Sequence, residues 1–119
     1  MYEVLSDSDP GWCGMSESDL VQAILLEFGA RPGLRIWRHN VGAAKTRTGA
    51  VVKFGTRGQP DIMGIMAPYG KMIAIECKAG RGVLSKEQRL WRAMFEAHGG
   101  LYIEARSIAD VEEALRRGK

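Results

Sequence analysis

The chain has 119 residues, of which 45% are hydrophobic and 26% charged, a composition typical of a globular protein with one modest core. No apolar run approaches the roughly 18 to 20 residues that a membrane-spanning helix needs, and no secretory leader pattern opens the sequence. Cys13 and Cys77 make no disulfide framework, and zinc-ligand spacing is absent. We therefore expect a soluble, intracellular, cytoplasmic protein that makes no membrane contact.

Charge is distributed unevenly along the chain, although the formal net charge is only +3. Residues 1–30 carry six acidic side chains and no Lys or Arg, whereas residues 31–60 carry seven basic side chains and no acid. Trp37, Phe54 and several glycines are interleaved with these bases. This pattern favours a surface that binds a polyanion such as nucleic acid. The alternative is a solvated basic face that balances the acidic start.

The first part of the chain predicts a leader and one helix. Residues 1–14 are acidic and contain one proline and two glycines, so we expect an irregular leader before a single domain at 15–119. Ser16 followed by Asp19 is typical of a helix start. Apolar residues then recur at helical spacing until Gly29, which predicts the end of that helix.

The middle of the chain predicts strands and a loop. Residues 34–40, LRIWRHN, carry substantial side chains on alternating faces and predict a strand. Residues 41–60 hold four glycines and predict a mobile basic loop with one short strand, AVVKF, inside it. Two apolar runs, 61–66 and 71–78, flank the turn sequence APYG and predict a hairpin.

The last part predicts a strand between two helices. Ser85, with Gln88 as its capping-box partner, predicts a helix that runs to about His98. LYIEA predicts a strand, and Ser107 with Asp110 predicts the start of a last helix. The order of elements indicates one α/β domain, in which a mixed β-sheet is flanked by helices.

The hairpin brings ionisable side chains to one end of an apolar strand pair. With a four-residue turn, counting outward places Asp61 opposite Glu76, and Lys78 shares their face. Opposed carboxylates repel each other beside apolar neighbours, so a divalent cation or a shared proton must offset the repulsion. A hard cation such as Mg²⁺ fits better, because Lys78 supplies a single positive charge.

A carboxylate-held metal beside a lysine and a basic stretch suits phosphodiester hydrolysis. The metal polarises the phosphate and lowers the pKa of bound water, while the lysine orients that water or stabilises charge on the phosphate. The basic stretch holds the nucleic-acid backbone and reads little sequence. In the alternative interpretation, Glu76 and Lys78 lie exposed on a sheet edge and pair only with each other.

Pro60-Asp61, followed by Glu76-Cys77-Lys78 on the next strand, resembles the PD-(D/E)xK nuclease signature. The ordered segments WRHNVGAAKT, GQPDIMGI, IAIECKAGRGVLSKEQ and HGGLYIEARSIADVEEAL resemble the VRR-NUC (virus-type replication-repair nuclease) family over nearly the whole chain. The resemblance implies a restriction-endonuclease-like fold and a Mg²⁺- or Mn²⁺-dependent endonuclease that cuts branched DNA such as a four-way junction. It also implies a homodimer and admits a phage-encoded enzyme in a bacterial host.

The resemblance implies roles for the hairpin residues. Asp61 and Glu76 would be metal ligands, and the main-chain carbonyl of Cys77 would be a further ligand. Lys78 would be the catalytic lysine. The Cys77 side chain is assigned to core packing, because no general base stands at a readable spacing from it.

Residues outside the hairpin have two interpretations each. Glu17 corresponds to an acidic residue that approaches the metal through water, or it only decorates the first helical turn. Gln88 matches a glutamine of the site, or it only caps its helix. Arg38 and Asn40 match the WRHN element and are expected to contact phosphate or support the scaffold. The other predicted nucleic-acid contacts are Lys45, Arg47, Lys53 and Arg57.

Two further functions stay open at this point. The first is a branched-DNA-binding module that keeps the fold without chemistry, although such a module has no need of opposed carboxylates. The second is a metal-dependent RNase, which the same site could support. RNA and DNA of matched structure would separate the two nuclease interpretations, because the 2′-hydroxyl distinguishes them at a site.

Overall fold

The computed structural model of the chain describes residues 15–39, 42–54 and 57–118, and for 42–45 and 52–54 it describes the backbone alone. The predicted leader at 1–14 therefore lies outside the described residues. The helices and strands are, in chain order, α1 (Glu17–Phe28), β1 (Leu34–Arg38), β2 (Gly42–Lys45), β3 (Val51–Phe54), β4 (Ile62–Met66), β5 (Lys71–Cys77), α2 (Lys86–Ala97), β6 (Leu101–Ala105) and α3 (Ile108–Arg117).

A four-stranded mixed sheet in the order β1-β4-β5-β6 organises the domain. β1, β4 and β5 pair antiparallel, and β6 joins β5 in parallel. The parallel pairing is possible because α2 returns the chain across the sheet between β5 and β6. β2 and β3 form a separate antiparallel pair. The predicted fold class, a mixed sheet flanked by helices as in PD-(D/E)xK nucleases, is confirmed.

The three helices begin where the sequence predicts. Ser16 accepts the Asp19 amide at 3.0 Å, and Ser85 accepts the Gln88 amide at 3.1 Å, each within a complete capping box. Ser107 caps α3 by accepting the Asp110 amide at 3.2 Å, without the reciprocal bond of a capping box. These caps satisfy backbone donors that an open helix end leaves unpaired, so each helix has a fixed start beside the sheet.

The main core lies between the sheet and the helices α1 and α3. Ile24 and Phe28 from α1 and Val111 from α3 are fully buried against the inward side chains of the strands, among them Ile73 and Ile75. A smaller cluster covers the other face beneath α2, and its buried members are Ala74, Leu84, Phe95 and Tyr102. The sheet is thus covered on both faces, which makes β5 a central, buried strand.

The basic stretch differs from its prediction in one respect. Besides the expected short strand β3, the chain forms β2 over Gly42–Lys45, and the two pair around a turn in which Thr46 donates its amide to Ala50 at 2.8 Å. Glycine and alanine have low strand propensity, so β2 has no local signal and depends on its pairing with β3. β1 also ends at Arg38, two residues before the predicted end.

Within the described ranges, no helix is both long enough and apolar enough to cross a membrane.

We predict that Ile73→Ala destabilises the domain by about 2–5 kcal/mol, because it leaves a cavity in the main core. Ile73 is 0% exposed and faces Gly64 in the neighbouring strand. Ile65→Ala is the matched control, since Ile65 lies in β4 and is 40% exposed. Urea unfolding should give a much lower midpoint for the first variant than for the second, and equal midpoints would contradict this core assignment.

Candidate active site

The hairpin register places Asp61 and Glu76 at the same end of the central strands. β4 and β5 pair from Met66↔Lys71 to Ile62↔Ile75, as predicted, and the two acidic residues come next. Since Ile62 and Ile75 face the main core, the alternation of side chains sends both carboxylates to the α2 face.

Asp61 is fixed by bonds from two neighbouring segments. Its Oδ2 accepts the Cys77 amide at 2.9 Å, and its main-chain carbonyl accepts the His39 amide at 2.7 Å. Burial raises the pKa of the Asp61 carboxyl, the bond from Cys77 lowers it, and the charge of Glu17 raises it further. Asp61 is therefore held at the end of β4 in a half-buried position where a negative charge is disfavoured.

Glu76 is buried, with 3% of its surface exposed. Its Oε2 accepts Gln88 Nε2 at 3.0 Å and lies 3.4 Å from Lys78 Nζ. Its Oε1 is buried and has no hydrogen-bond partner within the residues that the structure describes. Burial and the charge of Asp61 raise the pKa of Glu76 to about 7, although Lys78 opposes that rise. The carboxylate thus keeps one oxygen ready for a further partner.

Lys78 follows β5 directly and is largely enclosed, since 11% of its side chain is exposed. Its amide donates to the Ala105 carbonyl at 3.0 Å, which fixes the backbone beside β6. Glu76 and Lys78 do pair with each other. The alternative in which both lie exposed on a sheet edge is nevertheless wrong, because β5 is a central strand and Glu76 is buried.

Gln88 caps its helix and also contacts Glu76, while its role in catalysis stays a prediction. Its Oε1 accepts the Ser85 amide at 2.9 Å as part of the cap of α2, while its Nε2 donates to Glu76. The start of α2 is thereby tied to the buried carboxylate, so one side chain both caps the start of the helix and orients Glu76.

Glu17 lies in the first turn of α1 and also reaches the hairpin end. Its Oε2 accepts the Ala79 amide at 3.4 Å, one residue after Lys78. Its charge raises the pKa of both Asp61 and Glu76, which places it within electrostatic range of the pair. That Glu17 approaches a metal through a water molecule stays a prediction.

The Cys77 side chain points away from this cluster into the main core and is 0% exposed. Burial raises the pKa of its thiol, so the thiolate needed for a nucleophile is disfavoured. The packing role predicted for it is confirmed. The metal-ligand role of its main-chain carbonyl stays a prediction.

The predicted nucleic-acid residues divide into described and undescribed ones. Arg38, Arg47 and Arg57 are exposed, and the positive charge of Arg38 lowers the pKa of Asp61, which puts it near the carboxylates. Asn40 and the side chains of Lys45 and Lys53 lie outside what the structure describes.

Two residues absent from the predicted site hold the segment before Asp61 in place. The Gln59 side chain hydrogen-bonds His39 Nε2, joining the end of β1 to the segment before Asp61. Gly58, with φ +84°, packs so closely on the start of α2 that a Cβ would lie 2.6 Å from the carbonyl carbon of Glu87. A lone glycine and a glutamine give no spacing signal, so the sequence could have indicated only a turn here.

The donor set fits a hard divalent cation. Asp61 and Glu76 provide two carboxylates that repel each other, and Oε1 of Glu76 lacks a partner in the described structure. Nowhere in the described ranges do three or more His, Cys, Asp or Glu side chains form a cage that could hold a metal by themselves. Two carboxylates without a cage are typical of Mg²⁺ or Mn²⁺ sites that keep several waters, and they do not suit structural zinc.

Comparison with known proteins gives one family. The sequence model of the VRR-NUC domain matches residues 18–109, which is 92 of the 119 residues and includes Asp61, Glu76, Lys78 and Gln88. Glu17 lies one residue before the matched range. No curated protein matches the chain.

We predict that Gly58→Ala destabilises the domain more than Gly99→Ala does. Both glycines have positive φ, which strains any other residue by about 1–2 kcal/mol, but a Cβ at Gly99 meets nothing within 4 Å. The difference between the two variants in urea unfolding therefore isolates the contact of Gly58 with α2, which we expect to add at least about 1 kcal/mol. Equal losses would show that the segment before Asp61 can shift freely.

Proposed function

This chain belongs to the VRR-NUC domain family, which implies a nuclease-type function, and we propose that it is a divalent-metal-dependent endonuclease that hydrolyses phosphodiester bonds in branched DNA. One observation carries the proposal. Asp61 and Glu76 are brought together at the buried end of β4 and β5, and Oε1 of Glu76 has no hydrogen-bond partner in the described structure. Lys78 supplies one positive charge against these two carboxylates, and a bound divalent cation would offset the repulsion that remains.

Mg²⁺ or Mn²⁺ would be held by Asp61 and Glu76, with the main-chain carbonyl of Cys77 as a third donor. When bound, such a cation polarises the phosphate and lowers the pKa of a water molecule. The chain itself supplies the positions. Gln88 and Lys78 both contact Oε2 of Glu76, which leaves Oε1 available to a cation.

Lys78 is the residue best placed to act on the reacting phosphate. Its ammonium is fixed 3.4 Å from Glu76 and is largely shielded from water, which strengthens its field at short range. It would orient the attacking water or stabilise the negative charge that develops on the phosphate. Glu17, which accepts the Ala79 amide just after Lys78, would hold further water near the cation.

The substrate assignment rests on the basic residues and on the family. Exposed Arg38, Arg47 and Arg57, together with Asn40, Lys45 and Lys53, would hold the DNA backbone. Branched DNA, with a four-way junction as the preferred form, follows from the resemblance to the family. A homodimer would present two sites to the two strands of a junction, and we place the enzyme in the cytoplasm.

We predict that Glu76→Gln abolishes metal-dependent cleavage while DNA binding is largely kept, because the substitution removes the charge and preserves the shape. Labelled four-way junction, flap, duplex and single-stranded DNA, and RNA of matched structure, should each be tested with EDTA, Mg²⁺ or Mn²⁺. Junction cutting by the wild type that is lost in the variant supports the proposal. Unchanged cutting would remove Glu76 from the site.

A readout independent of activity accompanies this test. Mn²⁺ should raise the melting temperature of the wild type, since a ligand that binds only the folded state stabilises it, and it should not do so for Glu76→Gln. Tight DNA binding without cutting under any metal would favour the recognition module instead. Cutting of RNA in preference to DNA would favour the RNase.

We predict that Arg38→Ala combined with Arg47→Ala weakens DNA binding and flattens its salt dependence by about two units in the slope of log K against log salt, at about 0.9 per phosphate contact. The matched control is Lys71→Ala combined with Arg116→Ala. These side chains are also exposed, and they lie at the opposite end of the sheet, where Met66 pairs with Lys71 and adjoins Arg116. Equal slopes for the two double variants would contradict the basic-stretch assignment.

A further inference from the structure

A short loop, residues 79–82 with the sequence AGRG, follows Lys78 and leads toward α2. It closes on itself, since Gly82 donates its amide to the Ala79 carbonyl at 3.0 Å, and Gly80 takes a positive φ of +54°. None of its residues is among the predicted site residues. It nevertheless directly follows Lys78, the proposed catalytic lysine.

One side of this loop lies against the proposed active site. Glu17 accepts the amide of Ala79, and a Cβ built on Gly82 would lie 3.6 Å from Glu17 Oε2 and 3.7 Å from Lys78 Cδ. The loop therefore forms part of the rim around Glu17 and Lys78. A phosphate bound at Lys78 would therefore lie close to this loop.

The other side of the loop is held by Arg106, just after β6. Its Nη1 donates to the Gly80 carbonyl at 3.1 Å, and its Nη2 donates to the Gly82 carbonyl at 2.6 Å. Nη2 also lies 2.9 Å from Glu104 Oε2, and Glu104 in turn pairs with Arg92 at 3.7 Å. The planar guanidinium, with its fixed fork of donors, can hold two carbonyls at once, which a lysine ammonium cannot do in the same way.

Arg81 stands between the two carbonyls that Arg106 holds. Its side chain is exposed and forms no hydrogen bond or ion pair with any residue in the described ranges. By contrast, Arg31 and Arg92 are engaged in ion pairs with Glu112 and Glu104. An unpaired guanidinium on a backbone that is fixed at both neighbours is suited to bind an anion, because less freedom is lost on binding.

We propose that Arg81 contacts a backbone phosphate of the DNA beside the scissile bond, and that Arg106 is a positioning residue that fixes the loop for this contact. The proposal rests on the proposed nuclease function and names a phosphate contact for that site. Arg81 supplies charge-assisted hydrogen bonds to phosphate oxygens. Arg106 donates its hydrogen bonds to the loop carbonyls, so it would act on the DNA only through the loop.

The first test is DNA binding by Arg81→Ala, with Arg116→Ala as the matched control that removes the same charge at the opposite end of the sheet. Binding to a labelled four-way junction should be measured in EDTA at several salt concentrations. We expect Arg81→Ala to weaken binding about three- to ten-fold and to reduce the salt slope by about 0.9, while Arg116→Ala changes neither appreciably. An effect of Arg81→Ala no larger than that of the control would overturn the contact.

The second test addresses Arg106 with a double-mutant cycle. If Arg106 positions Arg81, then Arg81→Ala should change affinity less than two-fold in the Arg106→Ala background, whereas independent roles would give additive losses. Arg106→Lys keeps the charge and should still lose most of the Arg81 contribution, because it cannot hold both carbonyls. If Arg106→Ala fails to fold, the same cycle is made with Arg106→Lys. Additive losses would overturn the positioning role.

These outcomes also separate the inference from the proposed function. A wild-type chain that neither binds nor cuts branched DNA in Mg²⁺ or Mn²⁺ would overturn both. A wild type that binds and cuts, beside an Arg81→Ala variant with unchanged affinity and salt slope, would overturn only the contact made by Arg81.

Discussion

The repulsion between Asp61 and Glu76 is the constraint on which the rest of the site depends. The antiparallel register of β4 and β5 brings both carboxylates to one end of a central strand pair, and burial makes their charges harder to sustain. The pair is kept by groups that each stabilise one oxygen: the Cys77 amide on Asp61, and Gln88 with Lys78 on Glu76. The buried oxygen of Glu76 that still lacks a partner in the described structure is the observation on which the proposed cation site rests.

The surroundings divide into elements that hold the carboxylates and elements that would face nucleic acid in the proposed function. Gly58 and Gln59 join the segment before Asp61 to α2 and β1, and Gln88 joins α2 to Glu76, so three elements meet at the carboxylates. On the outside, Arg38 and the loop at 79–82 lie at the rim. An active site assembled in this way is rigid where charge must be placed accurately and exposed where a long polyanion must dock.

The helix starts and the hairpin that carries the site could be predicted from local sequence. Ser16, Ser85 and Ser107 mark helix starts because a capping side chain bonds only to backbone amides within its own turn. The hairpin register follows from the turn length and the two-residue period of a strand, and these place Asp61 beside Glu76 without any distant information. β2 could not be read, since GAAK has little strand propensity and forms a strand only by pairing with β3.

The sequence by itself determined the helix starts, the hairpin and the placement of Asp61, Glu76 and Lys78 at one end of it, because each depends on interactions between residues close in the chain. Tertiary structure alone decided that β5 is central and Glu76 buried, that Glu17 reaches Ala79 across 62 positions, and that Arg106 holds the loop around Arg81. Those contacts join segments far apart in sequence, and neither propensity nor periodicity specifies which distant backbone carbonyl a guanidinium will meet. The physical reason is that the strand order and the packing of the helices on the sheet bring these partners together, and local sequence patterns do not specify either.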